Sequence, residues 1–262
     1  MSSRSRQIKL ATRGEPFSPT SAARAIVQRV VHQIRESTPD IPSWFHYYEK
    51  NHSDRIAFDV EIVERYIKKD EPIVEFGSSP LLLTGALAAV GYRVTGADIE
   101  PERFSEAARQ QGLEIVKCDV ENGVFPFKDE IFGAAIFNEV FEHLRINLIH
   151  TFSEVRRVVK PGGRLLLSTP NGRSYANLVN LLFHDRALDS GIYSAYEALS
   201  TVGHMGHVRE YTVTDIVDFL EKMGFTCEEV VFRGRYPTNR GQLFVRLFPM
   251  LRPFFSVIAR RR

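Results

Sequence analysis

Short apolar runs alternate with amphipathic stretches over the middle of this 262-residue chain. Consecutive apolar residues predict buried strands, whereas apolar residues repeated at intervals of three and four predict helices. Strands are expected at residues 73–76, 92–97, 114–118, 133–137 and 164–168, and helices at residues 81–90, 101–111 and 144–159. Because strands and helices alternate, the pattern predicts an α/β fold with a doubly wound sheet of parallel strands.

Residues 1–53 lack this alternation and are expected to form a proline-containing arm with one short amphipathic helix. An aromatic run at residues 44–48 ends the arm, just before the first long helical pattern, which predicts a helix at residues 54–69. The run could close over a ligand as a lid, or it could pack against the helix that follows. We expect Trp44 to pack, and we leave both roles open for Tyr47 and Tyr48, whose hydroxyl groups need partners when buried.

Candidate ligand-binding residues lie where predicted strands end: Gly77, Asp98, Asp119 and Asn138. Open parallel sheets bind ligands beyond the carboxyl ends of their strands. Gly77 can adopt a positive φ and let a ligand approach the backbone. Asp98 follows it by about 20 residues, a spacing at which a carboxylate can bond ribose hydroxyls, and Asp119 could face an adenine amino group. Each aspartate could instead cap a turn, so the inference rests on the whole set.

Three polar residues follow the strand that ends near Asn138. Glu139, Glu142 and His143 have a spacing that would place them on one face of a helix. Two carboxylates and an imidazole in apolar surroundings are unfavourable unless they are paired, and a divalent cation would pair them. The alternative is a solvated first helical turn, where acidic side chains are favoured.

The composition of the chain narrows the classes of protein to which it could belong. With 44% hydrophobic and 25% charged residues, the chain resembles an ordinary soluble globular protein, and its net charge of +2 does not favour a nucleic-acid binder. Cys118 and Cys227 lack metal or redox spacing, so a reducing, cytoplasmic compartment is expected. We expect no signal peptide, and no transmembrane segment because no apolar run reaches about 18 residues.

From Pro72 to Asn171 the chain resembles the class I S-adenosylmethionine-dependent methyltransferases. The matching motifs lie at residues 74–79, 95–100, 118–120 and 134–138, followed by the helix, Pro-Gly-Gly turn and strand of residues 154–168. One departure is Ser79, which stands where the family's glycine turn often has a second glycine. The resemblance implies a Rossmann-like sheet of seven strands, mostly parallel with an antiparallel last strand. Its final helix and strands would come from residues 214–223, 226–233 and 254–259.

The same resemblance implies a cofactor and a domain organisation. S-adenosylmethionine would be held by Glu75, Phe76, Gly77, Ser78, Asp98, Ile99, Asp119, Val120 and Asn138. Phe76 and Ile99 would act mainly by packing. The predicted domains are an N-terminal arm or lid at residues 1–53 and a methyltransferase domain at residues 54–262, with a substrate-recognition insertion at about residues 170–211.

A narrower resemblance concerns the residues after the fourth strand. The stretch of residues 139–144 is similar to the Glu-x-x-Glu-His signature of the small-RNA 3′-terminal 2′-O-methyltransferases and of the ubiquinone-pathway catechol O-methyltransferases. This implies Mg²⁺ or Mn²⁺, with Zn²⁺ not excluded. The implied ligands are Glu139, Glu142, His143 and His207, with His204 as an alternative to His207. Glu142 and His143 are the candidate catalytic residues, and His143 could instead act as a base without a metal.

The function expected from these features is O-methylation of a small-molecule hydroxyl, most favourably on a saccharide or other vicinal diol and with a divalent cation. The alternatives are a metal-free quinone or phenol methyltransferase and a non-catalytic cofactor-binding scaffold. No nucleic-acid partner is expected. In the insertion, Arg173, Tyr175, Tyr193 and Tyr196 could bind a sugar, or the segment could cover the sheet or form a homodimer contact. A sheet hairpin is favoured over membrane contact for residues 243–262.

Overall fold

The structure is a computed structural model that describes residues 11–14, 18–186, 193, 197 and 206–262. The strands in these residues are β1 (Ala11–Gly14), β2 (Ile73–Phe76), β3 (Val94–Asp98), β4 (Glu114–Lys117), β5 (Phe132–Asn138), β6 (Val159–Pro170), β7 (Phe225–Arg233) and β8 (Phe254–Arg261). The helices are α1 (Ser21–Ser37), α2 (Trp44–Tyr66), α3 (Leu82–Ala89), α4 (Ser105–Gln111), α5 (Leu148–Val158), α6 (Tyr175–His184), α7 (Val213–Lys222) and α8 (Asn239–Leu247). Short 3₁₀ turns lie at Pro101–Phe104, Phe141–His143 and Pro249–Leu251.

The strands form one sheet in the order β1-β7-β8-β6-β5-β2-β3-β4. The neighbouring pairs from β6 to β4 are parallel, and β8 runs antiparallel to both β6 and β7. This is the predicted mixed α/β sheet of seven strands, to which the short β1 adds an edge strand parallel to β7. The strand order reverses between β2 and β5, which is the position where open parallel sheets bind ligands.

Helices cover both faces of the sheet because its strands are apolar on both sides. Ile73 of β2 belongs to a core packed under α1, α2, α3 and α4, whereas its neighbour Val74 belongs to a core packed under α5 and α7. Successive side chains of a strand point to opposite faces, so an uninterrupted apolar run fills both layers. Among the described residues, no helix combines the length and apolar character needed to cross a membrane.

Residues 18–53 contain more helix than the predicted arm. The helix α1 buries Val27, Val30 and Ile34 in the core. The helix expected at residues 54–69 begins earlier, at Trp44, so the expected domain boundary between residues 53 and 54 falls inside α2. The aromatic run is therefore the first turn of a helix.

Of the side chains in the aromatic run, Trp44 packs as expected. The Trp44 ring lies 6.0 Å from the ring of Phe104 and 5.9 Å from the ring of Tyr48. Tyr47 is 71% exposed and points away from the core. Tyr48 is half-buried, and it lines the cleft described below.

Candidate active site

The turn after β2 begins the candidate site. Gly77 has a φ of +73°, and a Cβ atom there would lie 2.4 Å from Cγ2 of Val140. Its N–H donates to the carbonyl oxygen of Ala97 (2.8 Å), which joins the turn to β3. Ser78 is buried, and its Oγ has no hydrogen-bond partner. The turn therefore requires glycine, and it leaves one buried hydroxyl group unsatisfied.

The two predicted aspartates both hold backbone N–H groups at strand ends. Asp98 accepts hydrogen bonds from the N–H of Ser79 (2.9 Å) and the N–H of Glu100 (3.0 Å), so it connects β3 to the glycine turn. Asp119 accepts from the N–H of Glu121 (2.9 Å) and from both the backbone and the side chain of Asn122. Both carboxylates thus cap turns, and both remain half-buried at the edge where a ligand would lie.

A cleft lies between α2 and the carboxyl ends of β2 and β5. Four residues predicted to bind a cofactor line it: Glu75, Gly77, Ser78 and Asn138. The opposite wall comes from α2, through Tyr48, Arg55, Ile56 and Asp59. Sequence reasoning proposed a lid from the aromatic run but did not identify Arg55 and Asp59, because their helical pattern resembles that of any amphipathic helix.

Phe76 does not line this cleft, contrary to the sequence prediction. Its side chain is fully buried, with ring centroids 5.0 Å from Phe125 and 5.8 Å from Phe137. The reason is strand alternation: Glu75 points to the cleft side, so its neighbour points into the opposite core. Ile99 is exposed beside Asp98, whereas Val120 is half-buried and packs against the core under α5.

Glu75 is a buried carboxyl group at the wall of the cleft. It accepts a hydrogen bond from Oγ1 of Thr84. Burial is the largest cause that raises the pKa of Glu75 to about 8; the charges of Asp59 and Asp98 act in the same direction, and the Thr84 hydrogen bond opposes them. Glu75 is therefore largely protonated at neutral pH and can donate a hydrogen bond.

Four charged side chains join α2 to the rest of the site. Arg55 of α2 pairs with Glu139 (Nη1 to Oε2, 3.0 Å) and donates to the hydroxyl of Tyr48 (3.3 Å). Arg233 of β7 is fully buried, pairs with Asp59, and has Nη2 3.7 Å from Oε1 of Glu139. Two arginines thus face two carboxylates, so this group of four side chains carries little net charge.

Glu139 is consequently separated from the other predicted metal ligands. Its φ of +55° turns the chain away from the helix expected there, and only the 3₁₀ turn Phe141–His143 follows. Ser168 donates to Glu139 (3.1 Å), while Thr169 donates to Glu142 (3.0 Å). Neighbouring residues of β6 point to opposite faces, so these bonds hold the two glutamates on opposite sides of the strand.

Glu142, His143 and His207 come together in one cluster whose candidate ligand atoms lie within 4.8 Å of one another. The Nε2 atoms of both histidines are 4.0 Å from Oε1 of Glu142. The carbonyl oxygen of Glu142 accepts from the N–H groups of Val208 (2.8 Å) and Arg209 (3.4 Å), which brings the later loop back onto the 3₁₀ turn. The alternative residue His204 lies outside the described residues.

Hydrogen bonds orient both imidazoles of the cluster. Nδ1 of His207 lies 3.2 Å from Oε1 of Glu210, and Nδ1 of His143 lies 3.4 Å from the carbonyl oxygen of Gly206. When these Nδ1 atoms carry the proton, each Nε2 presents a lone pair on the side of Glu142. Glu210 is a supporting residue that sequence reasoning missed, although its position three residues after His207 was a signal.

The carboxylate of Glu142 has one oxygen that lacks a hydrogen bond. Oε1 is buried without a hydrogen-bond partner, whereas Oε2 accepts from Thr169. Burial raises the pKa of Glu142, with His207 acting in the opposite direction. A buried, unpartnered carboxylate oxygen facing two imidazole nitrogens fits a divalent cation, because a cation would satisfy all three atoms.

The residues of the insertion that were predicted to recognise a substrate have different surroundings. Arg173 is exposed, and Tyr175 stacks on Phe244 with ring centroids 5.1 Å apart. Tyr193 is exposed, whereas Tyr196 lies outside the described residues. The helix α6 reaches the histidine cluster through Asn177, which donates to Glu210.

Residues 74–167 match a family model described as a methyltransferase domain. A protein of Streptomyces fradiae, described as an uncharacterized 37.1 kDa protein in transposon TN4556, is 26% identical over 173 residues. The match covers 61% of this chain and 50% of that protein, so the chain spans about half the length of the curated relative it matches.

Solved structures share the fold at low sequence identity. A Thermotoga maritima methyltransferase described as a possible histamine N-methyltransferase has 17% identity and a TM-score of 0.54, covering 92% of this chain and 100% of its own. The 1,6-didemethyltoxoflavin-N1-methyltransferase of Burkholderia thailandensis has 15% identity and a TM-score of 0.55, with coverages of 93% and 92%. A chain of the Haloferax volcanii complex between the activator Trm112 and a methyltransferase has 16% identity and a TM-score of 0.58, with coverages of 84% and 97%.

At such identities the structural likeness establishes the fold, and the domain match concerns residues 74–167 only. The glycine turn, Asp98 and Asn138 all lie within the matched range. Residues 74–167 therefore match a methyltransferase domain, and the chain shares its fold with solved S-adenosylmethionine-dependent methyltransferases.

Proposed function

We propose that the protein is an S-adenosylmethionine-dependent O-methyltransferase that methylates a hydroxyl group of a vicinal diol, most favourably a saccharide, with help from a divalent cation. The observation that carries this proposal is the unpartnered Oε1 of Glu142 facing Nε2 of His143 and of His207. A site of this kind, next to a cofactor cleft, suits an acceptor whose neighbouring hydroxyl groups can chelate a cation.

The residues at the cleft suit S-adenosylmethionine, whose sulfonium supplies an activated methyl group when it is bound. The Gly77 turn lets the cofactor approach the backbone, and the unsatisfied Oγ of Ser78 offers a hydrogen bond. Asp98 offers a half-buried carboxylate to hydroxyl groups, as expected at the end of the second strand of such a sheet.

A short stretch of chain links the cofactor cleft to the histidine cluster. Asn138 lines the cleft, Val140 lies against Gly77, and the 3₁₀ turn Phe141–His143 begins one residue later. An acceptor held at the cluster therefore lies close to the cleft. Alignment of this kind is the main contribution that a protein makes when the methyl group is already activated.

The donor set changes which cation we favour. With Glu139 paired to Arg55, two imidazole nitrogens and one carboxylate oxygen remain. Magnesium prefers oxygen ligands, whereas manganese and zinc accept imidazole readily. We therefore place Mn²⁺ and Zn²⁺ ahead of Mg²⁺. The cation would lower the pKa of an acceptor hydroxyl and fix its orientation.

Without a metal, the same residues support a second function. Glu142 lies beside the His143 ring (4.0 Å), and its negative charge would stabilise a protonated imidazole. His143 would then remove the proton of a phenol or quinol hydroxyl, which is more acidic than a sugar hydroxyl. This metal-free methyltransferase is the alternative that the experiment must exclude.

The test is methyl transfer from labelled S-adenosylmethionine to a panel of sugars, catechols and quinols, in EDTA and after addition of Mn²⁺, Zn²⁺ or Mg²⁺. The variants are Glu142→Gln and Glu139→Gln, with His46→Asn as an exposed control. We expect activity that EDTA abolishes and Mn²⁺ or Zn²⁺ restores. Mn²⁺ or Zn²⁺ affinity, measured by calorimetry, should fall about 10–100-fold in Glu142→Gln and change little in Glu139→Gln.

One result would contradict the metal-assisted reaction, and a second would contradict the set of ligands assigned to it. One is full turnover in chelator by a protein that holds no stoichiometric metal, which would leave the metal-free reaction. The other is equal loss of metal affinity in Glu139→Gln and Glu142→Gln, which would show that Glu139 leaves Arg55 and joins the cluster.

A further inference from the structure

The helices α6 and α8 expose large apolar side chains on one surface of the molecule. Leu182 and Phe183 of α6 are 73% and 75% exposed, and Leu243 and Leu247 of α8 are 58% and 66% exposed. We call these side chains, together with Phe244 and Phe248, the α6–α8 surface. Soluble proteins rarely group exposed apolar residues in this way unless the surface binds something.

Ring and backbone contacts hold these two helices together. Tyr175 of α6 stacks on Phe244 of α8, and the N–H of Ala176 donates to the hydroxyl of Tyr236, just before α8 (3.3 Å). Buried Val245 anchors α8 to the body of the protein. The fold therefore presents the α6–α8 surface as one preformed unit.

Cationic side chains surround this surface. Arg240 and Arg246 lie on α8, and Arg173 and Arg186 flank α6; all four are exposed. Neither helix contains Asp or Glu, and the nearest acidic residue along the chain is Asp185, after α6. An apolar centre with a cationic edge is typical of helices that lie in the headgroup region of a membrane.

We propose that the α6–α8 surface docks the protein on an anionic phospholipid bilayer. The apolar side chains would enter the boundary between headgroups and acyl chains, and the arginines would contact lipid phosphates. A second copy of the chain fits less well, because a twofold contact would bring arginines against arginines on helices that carry no carboxylates. This docking does not depend on the proposed reaction.

Docking on this surface would bring the histidine cluster near the bilayer. Asn177 of α6 donates to Glu210, which in turn lies 3.2 Å from Nδ1 of His207. Two side chains, Asn177 and Glu210, therefore connect the helix α6 to His207.

The experiment is co-sedimentation of the full chain with vesicles of phosphatidylcholine, and with vesicles of phosphatidylcholine and phosphatidylglycerol in equal amounts. We expect strong partition onto the anionic vesicles only, weakened by high salt. Arg186→Gln and Arg240→Gln should each lower the partition coefficient about fivefold, and Arg29→Gln on α1 should not. The double variant Phe183→Ser/Leu247→Ser should lower it at least about tenfold.

The matched apolar control is Ile149→Ser on α5, which is 64% exposed and lies outside the α6–α8 surface. Its partition should equal that of the wild type, and circular dichroism should show that all variants are folded. Equal binding to neutral and anionic vesicles, or no binding, would overturn the proposal. So would a wild-type dimer that Phe183→Ser/Leu247→Ser converts to a monomer while vesicle binding stays unchanged.

Discussion

At the residue scale, the backbone of Glu139 decides which side chains can share a ligand. A helix starting there would have grouped Glu139 with Glu142 and His143, as their spacing predicts. The positive φ of Glu139 and the hydrogen bonds from β6 separate them instead. Local spacing could not reveal this, because the separation depends on a strand that lies about thirty residues further along the chain. His207, predicted from the resemblance, does lie in the cluster.

Gly77 offers the most direct test of the turn. Gly77→Ala would meet Cγ2 of Val140 and keep an unfavourable φ, so we expect a loss of about 2–3 kcal/mol in unfolding free energy. Gly91→Ala is the control, since it has a φ of +92° but no atom within 4 Å of the added Cβ. It should lose only about 1–2 kcal/mol. Urea unfolding measures both, and an equal loss in the two variants would contradict the proposed contact.

Glu75 should make the stability of the protein depend on pH. Its pKa is about 8 in the folded state and 4.5 in the unfolded state, so the folded state holds more protons between these two pH values. The resulting stabilisation is complete below the unfolded pKa and is lost as the pH rises through about 8.

We therefore expect unfolding free energy to fall by up to about 1.4 kcal/mol per pH unit between these values, and Glu75→Gln to flatten this decline. The measurement is denaturant unfolding of the cofactor-free protein at several pH values. Glu106→Gln is the control, because the pKa of that exposed carboxyl group is about 2 and its titration lies outside the window. An unchanged slope in Glu75→Gln would mean that Glu75 is ionised throughout.

At the element scale, the alternation of strands and helices was predictable, whereas the role of α2 was not. The strands β2, β5 and β6 can be recognised in the sequence by their apolar runs, because both faces of a parallel strand are covered. The helix α2 is joined to the sheet by buried charges, and sequence patterns treat charges as exposed. The pairing of Asp59 with Arg233 spans most of the chain, so no local signal indicates it.

The Asp59–Arg233 pair predicts a strong coupling between α2 and β7. Arg233→Met would leave the buried carboxylate of Asp59 without its partner, at a cost of about 3–5 kcal/mol in unfolding free energy. The double variant Asp59→Asn/Arg233→Met should lose less unfolding free energy than the sum of the losses in the two single variants. Thermal or urea unfolding of the single and double variants measures this difference. Arg260→Met, which breaks a more exposed pair with Glu228, should cost about 0–1 kcal/mol. Additive losses at Asp59 and Arg233 would show that the pair is not coupled.

At the scale of the whole molecule, the candidate site is shared between distant parts of the chain. The cleft takes one wall from α2 and the other from the ends of β2 and β5, while the histidine cluster adds a loop near residue 207. The sequence resemblance covered the central sheet well. It did not reveal that the N-terminal residues form a layer of the core, because two amphipathic helices separated by prolines resemble an arm as much as a packed layer.

The last prediction concerns that N-terminal layer. Deleting residues 1–17 removes β1 but keeps Thr20, which caps α1 and whose N–H donates to Glu61 (2.8 Å). Deleting residues 1–37 also removes α1, whose side chains Val27, Val30 and Ile34 are fully buried. Each such side chain contributes about 1.5–3 kcal/mol, so their joint loss approaches the total stability of a typical domain.

We therefore expect the shorter deletion to unfold cooperatively in a thermal melt and the longer one to lack a cooperative transition. Val30→Ala in the full chain gives a graded control, because Val30 packs against Gly85 of α3 where the two helices approach closely. It should destabilise the protein by about 1–3 kcal/mol without abolishing the transition. A cooperative, wild-type melting temperature after deletion of residues 1–37 would mean that the sheet and its remaining helices fold without α1, and that the arm predicted from the sequence was the better description.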